Sequence, residues 1–296
     1  MLTIFSTPKP FEGHIGIIQR NAIQSWLRLS SEIQVILIGD EPGAAEVAQQ
    51  FGILYVKEVE RGKGGAKYLS SIFREAERHA HHEIVCYVNC DVMLMSDFLR
   101  AAQQVSSWRK NFLMVGRRWD IDITEAWDFV SSDWENRLRT EVLARGTRLT
   151  QHAIDYFVFP RGMYSEIPPL VIGRYWWDHW LLWRARSISV PVVDATANVM
   201  GVHQNHDYAY HPQGLHGVWH GQEAQANRQF AGRGRHLFTL DDATHLLTDC
   251  GIEPNRLYRL APLRRAFVRL ANATWYPALE ATKPIRHALG LRRWRA

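Results

Sequence analysis

The sequence predicts an α/β fold, a mostly parallel central sheet flanked by helices, and three observations carry that prediction. Short apolar runs alternate with amphipathic helical segments through residues 1–116. The runs are apolar almost throughout, as strands covered on both faces are, and do not alternate as one-sided strands do. Each run is closed at its carboxyl end by polar residues or glycine, the position where open α/β sheets collect ligands.

The elements follow in order. Leu2-Thr3-Ile4-Phe5 is the first strand, and Ser6-Thr7-Pro8-Lys9-Pro10 a proline-stiffened loop. Ile15, Ile18, Ala22, Trp26 and Leu29 recur at helical spacing, predicting a helix over 13–29. Residues 34–38 are a second strand, closed by Gly39-Asp40, and Pro42 opens a short helix that Gly52 ends. Residues 53–56 form a third strand. The basic loop Gly62-Lys63-Gly64-Gly65 leads into a helix over 67–80, with Leu69, Ile72, Phe73 and Ala76 toward the core. Residues 83–88 are a fourth strand, ending abruptly in Asn89-Cys90-Asp91. The βαβαβαβ alternation predicts a doubly wound sheet. A helix near 96–107 and a strand over 112–116 close the first half. The second half is less regular: 119–123 reads as strand or loop, 132–144 as helix, 156–159 as a short strand stopped by Pro160, and 177–185 as helix. Residues 189–194 and 198–203 read as strand segments, expected as antiparallel edges, and 203–236 as a loop rich in His, Gly, Gln and Asn.

Composition narrows the function classes. The 296 residues are 46% hydrophobic and 22% charged, as in a folded soluble protein. No run approaches the roughly 18–20 apolar residues that a membrane span needs, and the start lacks a signal peptide's basic and apolar regions. Cys86, Cys90 and Cys250 are too few for a disulfide framework and fit a reducing cytoplasm, the first two packing as small apolar groups. The net charge is +5, but residues 251–296 carry ten Lys or Arg against Glu253 and Glu280, so the first 250 residues are net −3. That balance speaks against nucleic acid. We therefore expect one domain over 1–250, with halves 1–116 and 117–250, and a basic helical extension over 251–296. The extension interleaves Leu260, Leu263, Phe267 and Leu270 with Arg259, Arg264, Arg265 and Arg269. It reads equally as a membrane-surface helix, making the protein peripheral at the inner face, and as a helix packed on the body.

The strand end at Asn89-Cys90-Asp91 places two oxygen-bearing side chains on one side of an extended segment, where they can hold a hard divalent cation or cap the next helix. Further on stand Asp155-Tyr156-Phe157-Val158-Phe159-Pro160-Arg161-Gly162 and Ile172-Gly173-Arg174-Tyr175-Trp176-Trp177-Asp178-His179-Trp180-Leu181. With Thr7-Pro8 after the first strand and Gly39-Asp40 after the second, this ordered set resembles the nucleotide-sugar-dependent glycosyltransferases of the GT-A fold over roughly residues 1–210. Asn89-Cys90-Asp91 resembles their Asp-x-Asp metal motif, departing from it at Asn89.

The resemblance implies roles. Asp91 is the expected ligand of Mn²⁺ or Mg²⁺, with His203, after a late strand, as a further ligand and His206 its neighbour. Thr7, Pro8, Asp40, Lys67 and Asn89 would bind the donor, a UDP-sugar ahead of a GDP-sugar, with Lys63 nearby. Asp178, near a helix start among aromatic residues, is the expected base that deprotonates a glycan or lipid-linked acceptor, which implies inversion. Asp155 is the alternative. The five histidines from His203 to His220 match no structural zinc pattern, and a lid over the donor or a plain loop fits the segment better. A sugar nucleotidyltransferase is the nearest rival, though Ser6–Pro10 replaces its glycine-rich loop. A non-catalytic glycan-binding protein is the second rival, favoured by Asn89.

Overall fold

The computed structural model describes residues 1–207, 213–232 and 235–267. They fall into two compact units that divide after Asn255.

The first unit is built on a nine-stranded sheet. Four parallel strands form one half: β1 (Leu2–Ser6), β2 (Gln34–Ile38), β3 (Leu54–Val56) and β4 (Ile84–Val88), in the order β3-β2-β1-β4. A two-residue strand, β5 (Val92–Met93), follows directly in the chain but joins another sheet. β6 (Leu113–Val115) does not sit beside β4. A later strand, β9 (Tyr156–Pro160), runs antiparallel between them, pairing Tyr156 with Val88. β10 (Val192–Asp194) and β12 (His245–Thr248) extend the sheet in parallel, and β13 (Gly251–Pro254) closes it as an antiparallel hairpin on β12. Residues 251–254, expected in the basic extension, thus belong to the main sheet. The reason is local: Gly251 at φ 122 makes the turn that lets the chain fold back.

Both faces of the sheet are covered, which explains the apolar strands. Along β4, Val85 and Tyr87 face α3 (Leu69–His79) and α6 (Trp177–Ser187), whose Phe73, Leu181 and Leu182 share their cluster. Cys86 and Val88 face α1 (Gly13–Leu27), α2 (Ala44–Phe51) and α4 (Ser96–Trp108), with Trp26, Val47 and Phe98. Trp26 is fully buried, and its indole N–H donates to the Val92 carbonyl at 2.9 Å, fixing the chain just past Asp91. Truncating a buried tryptophan typically costs about 3–5 kcal/mol.

A second, four-stranded sheet was not foreseen. Its order is β5-β11-β7-β8, with β7 (Arg118–Ile121), β8 (Thr147–Arg148) and β11 (Gly201–Gln204). α5 (Trp134–Arg145) covers it with Trp134, Leu138 and Val142. The expected strand segments near 119–123 and 198–203 are the two central strands of this sheet.

The segment read as loop over 203–236 contains two helices, α7 (Gly214–His220) and α8 (Gln222–Phe230). Its glycines hide them from a periodicity reading, because tertiary contacts hold them. Buried Asn227 bonds both backbone groups of Val171, at 2.8 Å each, and accepts no help from helix propensity.

In the second unit, residues 256–260 form a 3₁₀ turn and residues 261–267 are helical. Leu257, Leu260, Leu263 and Phe267 are exposed there. Leu270 and Arg269, and the rest of the extension, lie outside the described residues. Among the described residues no helix is long and apolar enough to cross a membrane.

Candidate metal and donor site

A cavity of about 580 Å³ opens at the carboxyl ends of β1, β2 and β4. It is lined among others by Thr7, Pro8, Lys67, Asn89, Asp91, Asp155, Asp178 and His203, so eight of the side chains singled out in the sequence share one space. Asp40 and Lys63 do not line it.

The two sheets meet at Asp91. β11 pairs antiparallel with β5, setting His203 opposite Val92, and parallel with β7, setting His203 opposite Asp120. The buried amide of Gln204 locks that register, donating to the carbonyls of Asp91 and Ile18. Asp91, His203 and His206 are therefore brought together, with one ligand atom from each within 4.8 Å of the others.

The orientation of the two imidazoles matters more than their proximity. The Nδ1–H of His206 donates to the Asp207 carbonyl at 2.5 Å, which turns Nε2 toward Asp91 Oδ2 at 3.2 Å. His203 turns Nδ1 toward Asp120 Oδ1 at 3.2 Å and Nε2 toward Asp91 Oδ1 at 3.9 Å. Anchoring the outer nitrogen and aiming the inner one is how metal-binding histidines are held; His206 is anchored in this way, while His203 Nδ1 meets Asp120 at ion-pair distance without a hydrogen bond. Asp91 Oδ1 is buried and has no hydrogen-bond partner among the described residues. A buried carboxylate oxygen without a donor, beside two inward imidazole nitrogens, fits a divalent cation. Burial alone would raise the Asp91 carboxyl, but Lys9, His203 and His206 hold it well below the ordinary range.

Lys9 is the cation the sequence reading passed over. Its Nζ lies 2.8 Å from Asp91 Oδ2 and 2.8 Å from His206 Nε2. The available signal was a lysine between two prolines directly after the first strand.

Asn89 stands apart from this cluster. Its Oδ1 accepts from the Tyr87 hydroxyl at 3.0 Å, and its Nδ2 donates to Asp155 Oδ1 at 2.8 Å. The other Asp155 oxygen accepts from Arg118 Nη1 at 2.6 Å, and Arg118 Nε lies 2.8 Å from Asp120 Oδ1. Arg118 and Asp120 are two apart on β7 and so project to one side, a period the sequence contained but did not connect to the site.

At the other end of the cavity the expected Asp40 is exposed and pairs with Arg61, which lowers its carboxyl's pKa. Its neighbour Glu41 lines the cavity instead, 2.5 Å from Lys67 Nζ and 3.0 Å from Arg61. Gly39 makes this possible: at φ 133, a Cβ would collide with the Glu41 and Lys67 side chains. Lys67 is buried and donates to the Pro8 carbonyl at 2.9 Å. Burial pulls its pKa down, against the pull of Glu41. Thr7 Oγ1 is buried without a partner among the described residues.

Asp178 lies in the first turn of α6, after Trp176 in the left-handed region at φ 95. Four carboxylates line the cavity among the described residues: Glu41, Asp91, Asp155 and Asp178. The first three each have a Lys or Arg within ion-pair distance, and Asp178 has only His179 Nε2 at 4.0 Å. Above it, Tyr175 stacks on Trp219 of α7 at 4.7 Å and 13°, and Trp219 is 44% exposed. Glu223 of α8 joins Arg174 at 2.7 Å to the Ala66 backbone N–H, so α7 and α8 bridge the glycine-rich loop and the aromatic side of the cavity.

No protein-family description and no curated protein sequence matches this chain. Comparison with solved structures returns glucosyl-3-phosphoglycerate synthase from Mycobacterium tuberculosis in complex with Mg²⁺ and UDP, 14% identical over 78% of this chain and 79% of that one, with a TM-score of 0.47. A mannosyltransferase from Pyrobaculum calidifontis in complex with GDP-Man and Mn²⁺ is 15% identical, covering 68% of this chain and 56% of that one, at 0.44. S. aureus TarS 1–349 in complex with UDP is 15% identical, covering 40% and 36%, at 0.32, so the match spans about a third of that chain.

Proposed function

We propose that the protein is a metal-dependent glycosyltransferase that moves a sugar from a nucleotide diphosphate sugar to a hydroxyl of a glycan or glycolipid, with inversion, in cell-surface polysaccharide synthesis. One observation carries this reading. A single cavity holds the inward-facing Asp91–His203–His206 set and, separately, Asp178 as the lining carboxylate without a Lys or Arg partner among the described residues.

Asp91, His203 and His206 would hold the ion. Two imidazoles with one carboxylate suit Mn²⁺ better than Mg²⁺, which prefers all-oxygen ligation. When bound, the ion supplies positive charge against the diphosphate leaving group without a proton transfer. Thr7 Oγ1, the Pro8 loop, Glu41 and Lys67 form the donor's other end, Glu41 as the acceptor of hydrogen bonds in the place first assigned to Asp40. Asp178 takes the proton of the acceptor hydroxyl, and its lack of a paired cation keeps its lone pairs available for that proton. Tyr175 and Trp219 offer a ring face to the apolar C–H side of a sugar. Asp155, tied to Arg118 and Asn89, is a positioning residue in this reading. The exposed Leu257, Leu260, Leu263 and Phe267, with the arginines between them, would contact an anionic membrane from the cytoplasmic side.

The test is calorimetric titration with UDP and with GDP, each with Mn²⁺ and with EDTA, on wild type and Asp91→Ala. Binding of one nucleotide that needs Mn²⁺ and is lost in Asp91→Ala is the expected outcome, and it names the donor's base. No binding of either nucleotide under any condition would overturn the reading.

A further inference from the structure

Lys9 occupies a defined point in the candidate metal site. Its Nζ is 2.8 Å from Asp91 Oδ2 and 2.8 Å from His206 Nε2, and those two atoms are 3.2 Å apart. The Lys9 ammonium can donate to both atoms, so it stands where a cation bridging Asp91 Oδ2 and His206 Nε2 would stand. A divalent ion bound by Asp91 and His206 would use the same lone pairs.

The surroundings divide Lys9 into a fixed part and a movable part. The backbone is clamped: its N–H donates to Gln19 Oε1 at 2.7 Å, its carbonyl accepts from Gln19 Nε2 at 2.9 Å, and Gln19 is 1% exposed. Pro8 and Pro10 stiffen either side. The side chain, by contrast, is 27% exposed and lines the cavity, so it has room to leave.

Resting on the reading of Asp91, His203 and His206 as a metal site, we propose that Lys9 is a tethered cation that holds this site in the absence of the ion, and that a divalent metal binds only by displacing the Lys9 ammonium into the cavity. The two cations are mutually exclusive at Asp91 Oδ2 and His206 Nε2. Lys9 is therefore an affinity-setting residue. It keeps Asp91 neutralised and the His206 imidazole in place, and it weakens the hold on the metal.

The probe is Mn²⁺ alone, titrated into metal-free full-length protein, with the unbound ion followed by electron paramagnetic resonance. Lys9→Met keeps an unbranched side chain, one atom shorter, and removes the charge. It is expected to bind Mn²⁺ about tenfold or more tightly than wild type, while Lys9→Arg stays at or below wild-type affinity. Asp91→Ala should bind none. In wild type, Mn²⁺ should also speed acylation of Lys9 by a succinimidyl acetate, read by peptide mass spectrometry. That second measurement needs no variant to fold. Equal Mn²⁺ affinity in wild type and Lys9→Met, or an acylation rate at Lys9 that Mn²⁺ leaves unchanged, would overturn the displacement and leave the metal site standing. Absence of Mn²⁺ binding in wild type and Lys9→Met alike would overturn both.

Discussion

Replacing Asp155 or Asp178 by asparagine removes the same charge from the same cavity, yet the two changes are expected to fail in different assays. Both Asp155 oxygens accept hydrogen bonds, one from Asn89 Nδ2 at 2.8 Å and one from Arg118 Nη1 at 2.6 Å. An asparagine presents one oxygen and one NH₂, so one of the two donors faces another donor unless the Asn89 amide turns over and the Tyr87 hydroxyl, 3.0 Å away, accepts instead of donating. In either arrangement the negative charge facing Arg118 is lost. Breaking a buried pair by removing one partner costs about 3–5 kcal/mol. Arg118 keeps Asp120 at 2.8 Å, so the lower end, about 3 kcal/mol, applies. For a unit of this size that is a fall of about 6–12 °C in the melting midpoint. Asp178 has no such partners. Its replacement leaves the midpoint within about 2 °C, with a stability change under about 0.5 kcal/mol. The loss appears in transfer, by about 10²–10⁴-fold, as expected for a missing general base, or about 3–5 kcal/mol in the barrier. The assays are thermal melts by circular dichroism and release of nucleotide from UDP- and GDP-sugars with a panel of glycan acceptors. The reverse pattern, an Asp155→Asn protein that melts like wild type and an Asp178→Asn protein that transfers within tenfold of wild type, would refute the assignment of roles.

The remaining predictions are brief. Asp120→Asn removes the charge facing His203 Nδ1 at 3.2 Å and should weaken Mn²⁺ binding about 10–100-fold by paramagnetic titration. Asp91 and Asp120 are both held below the ordinary carboxyl value of 3.8 although burial opposes it, by Lys9 and the histidines in one case and by His203 and Arg118 in the other. Their contribution to stability is thus complete above about pH 5 and is lost as the pH falls through their folded-state values. Urea midpoints measured from pH 7 to pH 3 should fall in acid, and less steeply in Asp120→Asn. Trp219→Ala should raise the acceptor KM about tenfold, near 1.4 kcal/mol, with kcat and nucleotide affinity retained. A double change of Leu263 and Phe267 to Asp should reduce co-sedimentation with anionic phospholipid vesicles, read against neutral vesicles.

Local pattern was enough for the first half of the fold. β1 to β4 and the helices between them follow from apolar runs and helical spacing, because each is a chain-local element buried on a predictable side. What the pattern lacked was partner choice. The insertion of β9 between β4 and β6, and the second sheet, are set by contacts between residues far apart, such as Val88 with Tyr156 and His203 with Asp120. α7 and α8 were hidden for the same reason, since Asn227 holds them through Val171 and glycines dilute their period. The site was partly legible. Asp91 and His203 could be named from strand ends, whereas Lys9, Glu41 and Arg118 could not. A charged side chain beside a strand end reads as solvated until its partner is known, and the partners of these three lie 82, 26 and 37 positions away.

Asn89 shows how the two kinds of information join. From the sequence alone it is a defect in an acidic motif and the one feature favouring a non-catalytic protein. In the structure its amide N–H is what Asp155 requires. An aspartate at position 89 would bring a second carboxylate within 2.8 Å of the first, and Arg118, already shared between Asp155 and Asp120, would have three to neutralise. Asparagine keeps an oxygen for Tyr87 and supplies a donor for Asp155, at no cost in charge. The candidate metal set does not draw on position 89, because His203 and His206, more than 110 positions later in the chain, complete it on Asp91. In the proposed reading the two positions of an Asp-x-Asp pair are thus separated: Asp91 would face the cation, and Asn89 bonds Asp155, which Arg118 holds from its other oxygen.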